Sequence, residues 1–166
     1  MVDTYIALGG NLAGTLQTMR EVVARIKAWK GIDSLTLSKL YQTSPVSPIP
    51  QPDYLNAVCR FQTSLPLHNL WENLKQLEQE MGKEPKSKNS PRLIDLDLLF
   101  YGDLSLVSEG LTLPHPRWNE RLFVLTPLAD VTQQVPTGTE INKIIAGFQN
   151  PNQEKISIVH ERLFDA

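Results

Sequence analysis

Residues 93–101 read Leu93-Ile94-Asp95-Leu96-Asp97-Leu98-Leu99-Phe100-Tyr101, and Gly102 follows. A short run rich in branched apolar residues and closed by glycine predicts a largely buried strand. Strand side chains alternate, so both carboxylates are expected on one face, with Ile94, Leu96, Leu98 and Phe100 on the other. Two like charges that close on a buried element repel each other and lose solvation. A hard divalent cation removes both penalties. The pair therefore predicts a magnesium site whose remaining positions go to water and substrate phosphates. The competing reading is a strand with one solvated face, where the acids only add solubility.

Upstream of this strand lie Arg92 and the segment Lys83-Glu84-Pro85-Lys86-Ser87-Lys88-Asn89-Ser90-Pro91. A basic loop beside paired carboxylates suits a metal-bridged polyphosphate; read alone, it is a solvated charge run. Before it, Leu67, Leu70, Leu74, Leu77 and Met81 recur at helical spacing and Gly82 ends the pattern. Residues 54–63 form a strand with Leu55, Ala57, Cys59 and Phe61 on one face and Tyr54, Asn56, Val58, Arg60 and Gln62 on the other. Another strand carries Leu35 and Leu37 and runs towards Tyr41, and Tyr5–Leu8 begins the series. Between these two, Leu16, Met19, Val23 and Ile26 predict a helix over about Thr15–Trp29, with Thr15 as N-cap and Gly31 as terminator.

The order is βαββαβ: an α+β, ferredoxin-like core in which helices cover one face of an antiparallel sheet. The core occupies about residues 4–132 of a single domain, residues 1–166. The extension, about 133–166, is too short for a second domain, and the C-terminal helices near Leu122–Val131 and Glu140–Ala146 are expected to pack on the same sheet. A strand at Leu111–Leu113 precedes them, and from about Asn150 no pattern is legible.

Composition narrows the function classes. Hydrophobic residues make up 41% and charged residues 20% of the chain, as in an ordinary globular protein. A formal charge of −2 supplies no field for holding nucleic acid in bulk. The lone Cys59 permits no internal disulfide, no basic-then-apolar leader opens the chain, and no run approaches a membrane span. The expectation is a cytoplasmic monomer acting on small molecules, with no nucleic-acid or membrane partner.

Gly9-Gly10-Asn11-Leu12-Ala13-Gly14-Thr15 resembles a phosphate-binding loop but lacks the lysine that should follow the second glycine, so a tight strand-to-helix turn explains it better. The segment from Thr43 to Asp53 carries four prolines and no sheet ladder. If the strands that follow the two long loops are neighbours, both loops flank the carboxylates and can close over a ligand. Tyr54 and Asn56 share a face after the proline loop; an aromatic ring beside a carboxamide suits a flat hydrogen-bonding heterocycle, with core packing as the alternative. His115, between Pro114 and Pro116 and followed by Arg117 and Arg121, is either a phosphate contact or a turn histidine.

These blocks together resemble the 6-hydroxymethyl-7,8-dihydropterin pyrophosphokinase family. The matching pieces are Tyr5–Leu12, Tyr41–Pro45, Gln51–Ala57, Pro91–Gly102, Leu113–Arg117 and Arg121–Leu128, collinear within residues 5–131. The resemblance implies transfer of pyrophosphate from ATP to the hydroxymethyl group of a reduced pterin, releasing AMP, in folate biosynthesis. It implies that Asp95 and Asp97 ligate two magnesium ions, and that Arg92 and Lys83 join Asp97 as catalytic residues. Glu78, Leu98, Thr112, His115 and Arg121 match ATP-side positions. Thr43, Ser44, Val46, Tyr54, Asn56 and Phe123 match the pterin pocket. Departures from the family pattern are Gly10 for serine, Lys83 for arginine, Asn89 for tryptophan, Pro116 for an aromatic residue and Gly110 for arginine, and Pro85 lies near a second arginine position. Lysine lacks the planar two-pronged phosphate grip of arginine. Two rival readings are a pterin- or nucleotide-binding protein with weakened catalysis, and a ferredoxin-like RNA-binding module, which expects aromatic and basic residues across the middle strands.

Overall fold

A computed structural model of the chain describes residues 1–45, 47–82, 92–151 and 153–160. Strand β1 (Val2–Gly10) leads into helix α1 (Thr15–Ala28), followed by β2 (Ile32–Leu37), β3 (Leu40–Thr43), β4 (Tyr54–Thr63), α2 (Leu67–Glu80) and β5 (Asp95–Tyr101). A hairpin of β6 (Leu106–Ser108) and β7 (Leu111–Leu113) comes next, then a 3-10 turn at Trp118–Glu120, α3 (Leu122–Val131), α4 (Ile141–Ala146) and β8 (Ile156–His160). Among the described residues the main sheet has six antiparallel strands in the order β5-β1-β4-β3-β8, with β2 also paired to β4.

The apolar stripes form the first core. Met19, Val22 and Ile26 of α1 and Leu70, Leu74 and Leu77 of α2 pack on Ile6, Leu8, Cys59, Phe61, Leu96 and Leu98. A second core lies on the other side of the sheet, where Val124, Leu125 and Leu128 of α3 meet Tyr5, Val58, Leu99 and Phe100. Helix α3 thus packs on the sheet as expected, though on the face opposite α1 and α2, while α4 packs against α3. Val58, expected on a polar face, is fully buried beneath it. That cover removes the open sheet surface on which an RNA reader would stack bases.

Three further expectations are corrected. Phe100 does not share a face with Leu98: pairing slips between Tyr5 and Ile6, so Leu99 is the extra residue of a β-bulge and Phe100 turns towards α3. The strand through Leu37 to Tyr41 is two strands, because Ser38 leaves the ladder while its Oγ accepts the Val58 N–H at 2.8 Å. Thr15 opens α1 but does not cap it. The N-cap is Gly14 at φ +91°, and the Thr15 hydroxyl instead donates to the Leu93 carbonyl at 2.8 Å. The turn after β1 is therefore the tight strand-to-helix connection, and a side chain at Gly10 would lie 2.2 Å from the Leu93 carbonyl oxygen.

Candidate active site

The strands that follow the two long loops are not neighbours, since β1 lies between β4 and β5. Gly9 pairs with Asn56 on one side and Asp95 on the other, which makes a cross-sheet row of Asp95, Gly9 and Asn56. Directly paired residues share a face, and two strand spacings separate Asp95 from Asn56 by about 10 Å. Gly9 keeps that row open, because a Cβ there would come within 2.8 Å of Asn56 Oδ1. Asp95 and Asp97 do face one side, the α3 side, as alternation predicts. Ala7, which pairs with both Val58 and Asp97, extends the surface.

Two cavities meet there. The larger, about 290 Å³, is lined by Thr43, Ser44, Tyr54, Asn56, Phe123, Arg92, Arg121, Asp95 and Asp97, among others. The smaller, about 280 Å³, is lined by Leu98, Thr112, His115, Trp71, Lys75 and again Asp97. The structure thus gathers Thr43, Ser44, Tyr54, Asn56, Phe123, Arg92 and Arg121 in one cavity and Leu98, Thr112 and His115 in the other, with Asp97 common to both. Lys83, Val46 and the basic loop over 83–91 fall outside the described residues. Glu78 lines neither cavity: its Oε1 accepts from Lys75 Nζ at 2.9 Å and its Oε2 from the Leu96 N–H at 2.9 Å, anchoring β5 to α2.

The environment of Asp97 is costly for a charge. Desolvation pushes its carboxyl above the ordinary range, nearby His115 opposes this, and Asp95 and Glu78 add to the rise. Burial in turn lowers His115, with Arg121 and Arg117 pushing the same way against Asp97. His115 Nδ1 accepts the Arg117 N–H at 3.2 Å, and its own N–H donates to the bulge carbonyl of Leu99 at 2.9 Å, so the bulge helps to seat the histidine. Arg92 reaches Asp95 through a long ion pair at 3.5 Å. Arg121 lies over the Phe123 ring at 5.5 Å. Asn56 Nδ2 donates to Thr43 Oγ1 at 2.7 Å, which fixes the amide in the wall of the larger cavity.

Magnesium suits this donor set. The described residues hold no cluster of three or more His, Cys, Asp or Glu that would cage a metal. A pair of half-buried carboxylates on one strand face is what an ion needs when water and phosphate supply the rest of its coordination.

Sequence reasoning missed several participants. Trp71 and Lys75 line the smaller cavity, and Lys75 Nζ sits 4.2 Å from the Trp71 ring centre. Their spacing to Glu78 along α2 places all three on one side of the helix, a pattern visible in the sequence beside the leucine stripe. Asn11, in the turn after β1, accepts the Arg92 N–H through its Oδ1 at 2.8 Å, and its Nδ2 donates to Gln51 Oε1 and the Pro52 carbonyl. It couples Arg92 to the proline loop. Arg117, already marked by its place after His115, lines the larger cavity, as does Glu154, which sits where no sequence pattern is legible.

An α+β protein with two cavities sharing a half-buried carboxylate beside arginines defines a narrow class. A sequence model of the 7,8-dihydro-6-hydroxymethylpterin-pyrophosphokinase family matches residues 5–133, and the chain belongs to that family. It is 38% identical over 131 residues to the 2-amino-4-hydroxy-6-hydroxymethyldihydropteridine pyrophosphokinase of Bacillus subtilis, covering 79% of this chain and 78% of the relative. It is 41% identical over 128 residues to the folic acid synthesis protein fol1 of Pneumocystis carinii. That match covers 77% of this chain but only 17% of the fungal protein. The fold is shared with the crystal structure of Plasmodium falciparum HPPK-DHPS, at a TM-score of 0.67 and 12% identity over 88% of this chain and 44% of that one. No described helix is long and apolar enough to cross a membrane.

Proposed function

We propose that this chain transfers the pyrophosphoryl group of ATP to the hydroxymethyl oxygen of 6-hydroxymethyl-7,8-dihydropterin, releasing AMP, as a step of folate synthesis. The observation that carries this reading is the pair of cavities meeting at Asp97. The larger, with Tyr54, Phe123 and Asn56 in its walls, suits a flat heterocycle held by rings and an amide. The smaller suits the nucleoside end of ATP, whose β-phosphorus then lies beside the carboxylates.

The reaction forms one bond, from the pterin hydroxyl oxygen to the β-phosphorus, and breaks the bond between that phosphorus and the oxygen bridging to the α-phosphorus. That oxygen leaves with AMP. Asp95 and Asp97 would hold magnesium, two ions in this reading, which would supply charge neutralisation for the phosphates and make the hydroxyl more acidic. Arg92 and Arg121 bear on the phosphate oxygens, with Lys83 as a third cation, and His115 in its neutral form donates a hydrogen bond to them. Thr43 and Asn56 hold each other in place, so the pterin wall is set before the ligand arrives.

The same reading takes residues 1–166 as one ferredoxin-like domain, with the second strand of that plan split into β2 and β3, acting as a cytoplasmic monomer. The sheet order supports the ferredoxin-like assignment. The test is phosphorus NMR of the protein with ATP, magnesium and the hydroxymethyl dihydropterin. AMP and a pterin diphosphate are expected in equal amounts, and chelation of the metal should stop both. Pterin-independent release of ADP or phosphate as the main product would sink the proposal.

A further inference from the structure

Glu154 is the anomaly of the larger cavity. Its residue is 6% exposed, and neither carboxylate oxygen meets a well-aligned hydrogen-bond donor in the protein; the Leu122 backbone N–H and the Arg121 charge only partly offset its burial. Buried carboxylates without partners are costly, and native proteins keep few of them without a use. The carboxylate is not there by slack. Asn150 Oδ1 accepts the Glu154 N–H at 2.8 Å, and Asn150 Nδ2 donates to the Glu154 carbonyl at 3.1 Å. The next residue is tied to the proline loop from both sides: Ser44 N–H donates to the Lys155 carbonyl at 3.0 Å, and Lys155 N–H donates to Ser44 Oγ at 2.9 Å. Asn150 and Gln153 adopt φ values of +49° and +52°, a left-handed backbone unusual for non-glycine residues. The chain bends twice to bring this side chain to the cavity wall near Thr43, Asn56 and Phe123.

With only the Arg121 charge and the Leu122 N–H set against it, the carboxylate keeps acceptor capacity facing the cavity, which repels phosphate and suits an N–H donor. Resting on the function proposed above, we infer that Glu154 recognises the amino-amide edge of the pterin. The ring N–H and the adjacent exocyclic amino group point in parallel, as the two donors of a guanidinium do, and each meets one carboxylate oxygen. Tyr54 and Phe123 then contact the ring faces while Glu154 reads its edge. A site built to accept such donors rejects an analogue that lacks them, because its buried acceptors are left unpaired.

The test measures binding of 6-hydroxymethylpterin and of its counterpart with oxygen in place of the 2-amino group, each in the presence of magnesium and a nonhydrolysable ATP analogue. The wild type should prefer the amino compound. Glu154→Gln, whose amide can both donate and accept, should weaken binding of the amino compound by about tenfold or more and narrow the preference. Nucleotide affinity and melting temperature should stay at wild-type values. Glu154→Ala should weaken the amino compound without gaining the oxo one. An unchanged preference in both variants overturns the inference, as does a parallel fall in pterin affinity, nucleotide affinity and melting temperature, which marks a structural role. Absence of pterin diphosphate formation by the wild type would instead remove the proposed function itself, and that result is read before any variant is made.

Discussion

Asp97 shows how one side chain can be a burden to the fold and an asset to the site. Its carboxyl is desolvated beside Asp95 and Glu78, so the fold carries a charge there that it does not favour. Asp97→Asn should therefore leave the melting temperature of the ligand-free protein unchanged or raised, while AMP release falls by about a thousandfold or more. A folded variant that still releases AMP at near wild-type rate would refute the role. Cys59 is the opposite case, a group that serves only packing. Burial pushes its thiol up to about 12, against 9.0 when exposed. The folded state thus holds the proton more tightly than the unfolded chain. This contribution to stability is complete below about 9 and is lost as pH rises towards 12. The stability difference between wild type and Cys59→Ala should narrow over that range in denaturant titrations. Thiol reagents at neutral pH should modify Cys59 only at the rate of unfolding.

Elements reach the site through their ends and their irregularities. The β-bulge at Leu99 turns Phe100 under α3 and offers a carbonyl to His115. The turn after β1 packs so closely on Leu93 that Gly10 admits no side chain without moving that backbone. Next to it, Asn11 joins three segments through one amide, binding the Arg92 backbone on one side and Gln51 and Pro52 on the other. Asn11→Ala leaves the Arg92 N–H and the Pro52 carbonyl short of a partner. It should lower stability by about 1–3 kcal/mol. The kinetic signature should be a raised KM for both substrates with a smaller fall in kcat, measured by AMP release. An effect confined to one substrate would show that the amide does not couple Arg92 to the proline loop.

At the scale of the whole molecule, α3 turns an open sheet into a three-layer structure and supplies Phe123 to the larger cavity. Its far end is clamped to the sheet by Arg60, whose guanidinium binds both oxygens of Asp3 at 2.9 and 3.0 Å, donates to the Val131 carbonyl at 2.9 Å and lies over the Tyr5 ring. Tyr41, donating to Asp130 at 2.6 Å, makes a second clamp. Arg60→Ala should cost about 2–3 kcal/mol and lower the melting temperature by about 4–12 °C. Turnover at low temperature should stay close to wild type, because no Arg60 atom lines either cavity. A large loss of kcat at full stability would mean that α3 is coupled to the chemistry rather than only docked.

The local periodicities were legible from the chain alone. Leucines at helical spacing marked α2, alternation placed Asp95 and Asp97 on a common face, and the collinear motifs identified the family before any coordinate was known. These signals are local: each is a relation among residues a few positions apart, where backbone geometry repeats. What the sequence could not settle involves residues far apart in the chain. The strand between β4 and β5, the side of the sheet that α3 covers, the slip that reverses Phe100 and the meeting of Asn11 with Arg92 all depend on which surfaces bury most apolar area together. Glu154 is the extreme instance. No period or motif marks it, and it faces the cavity only because β8 pairs with β3 and the preceding turn is bound to Ser44. Local patterning determined the elements and their chemistry; the closing of the sheet by tertiary packing decided which side chains share a cavity.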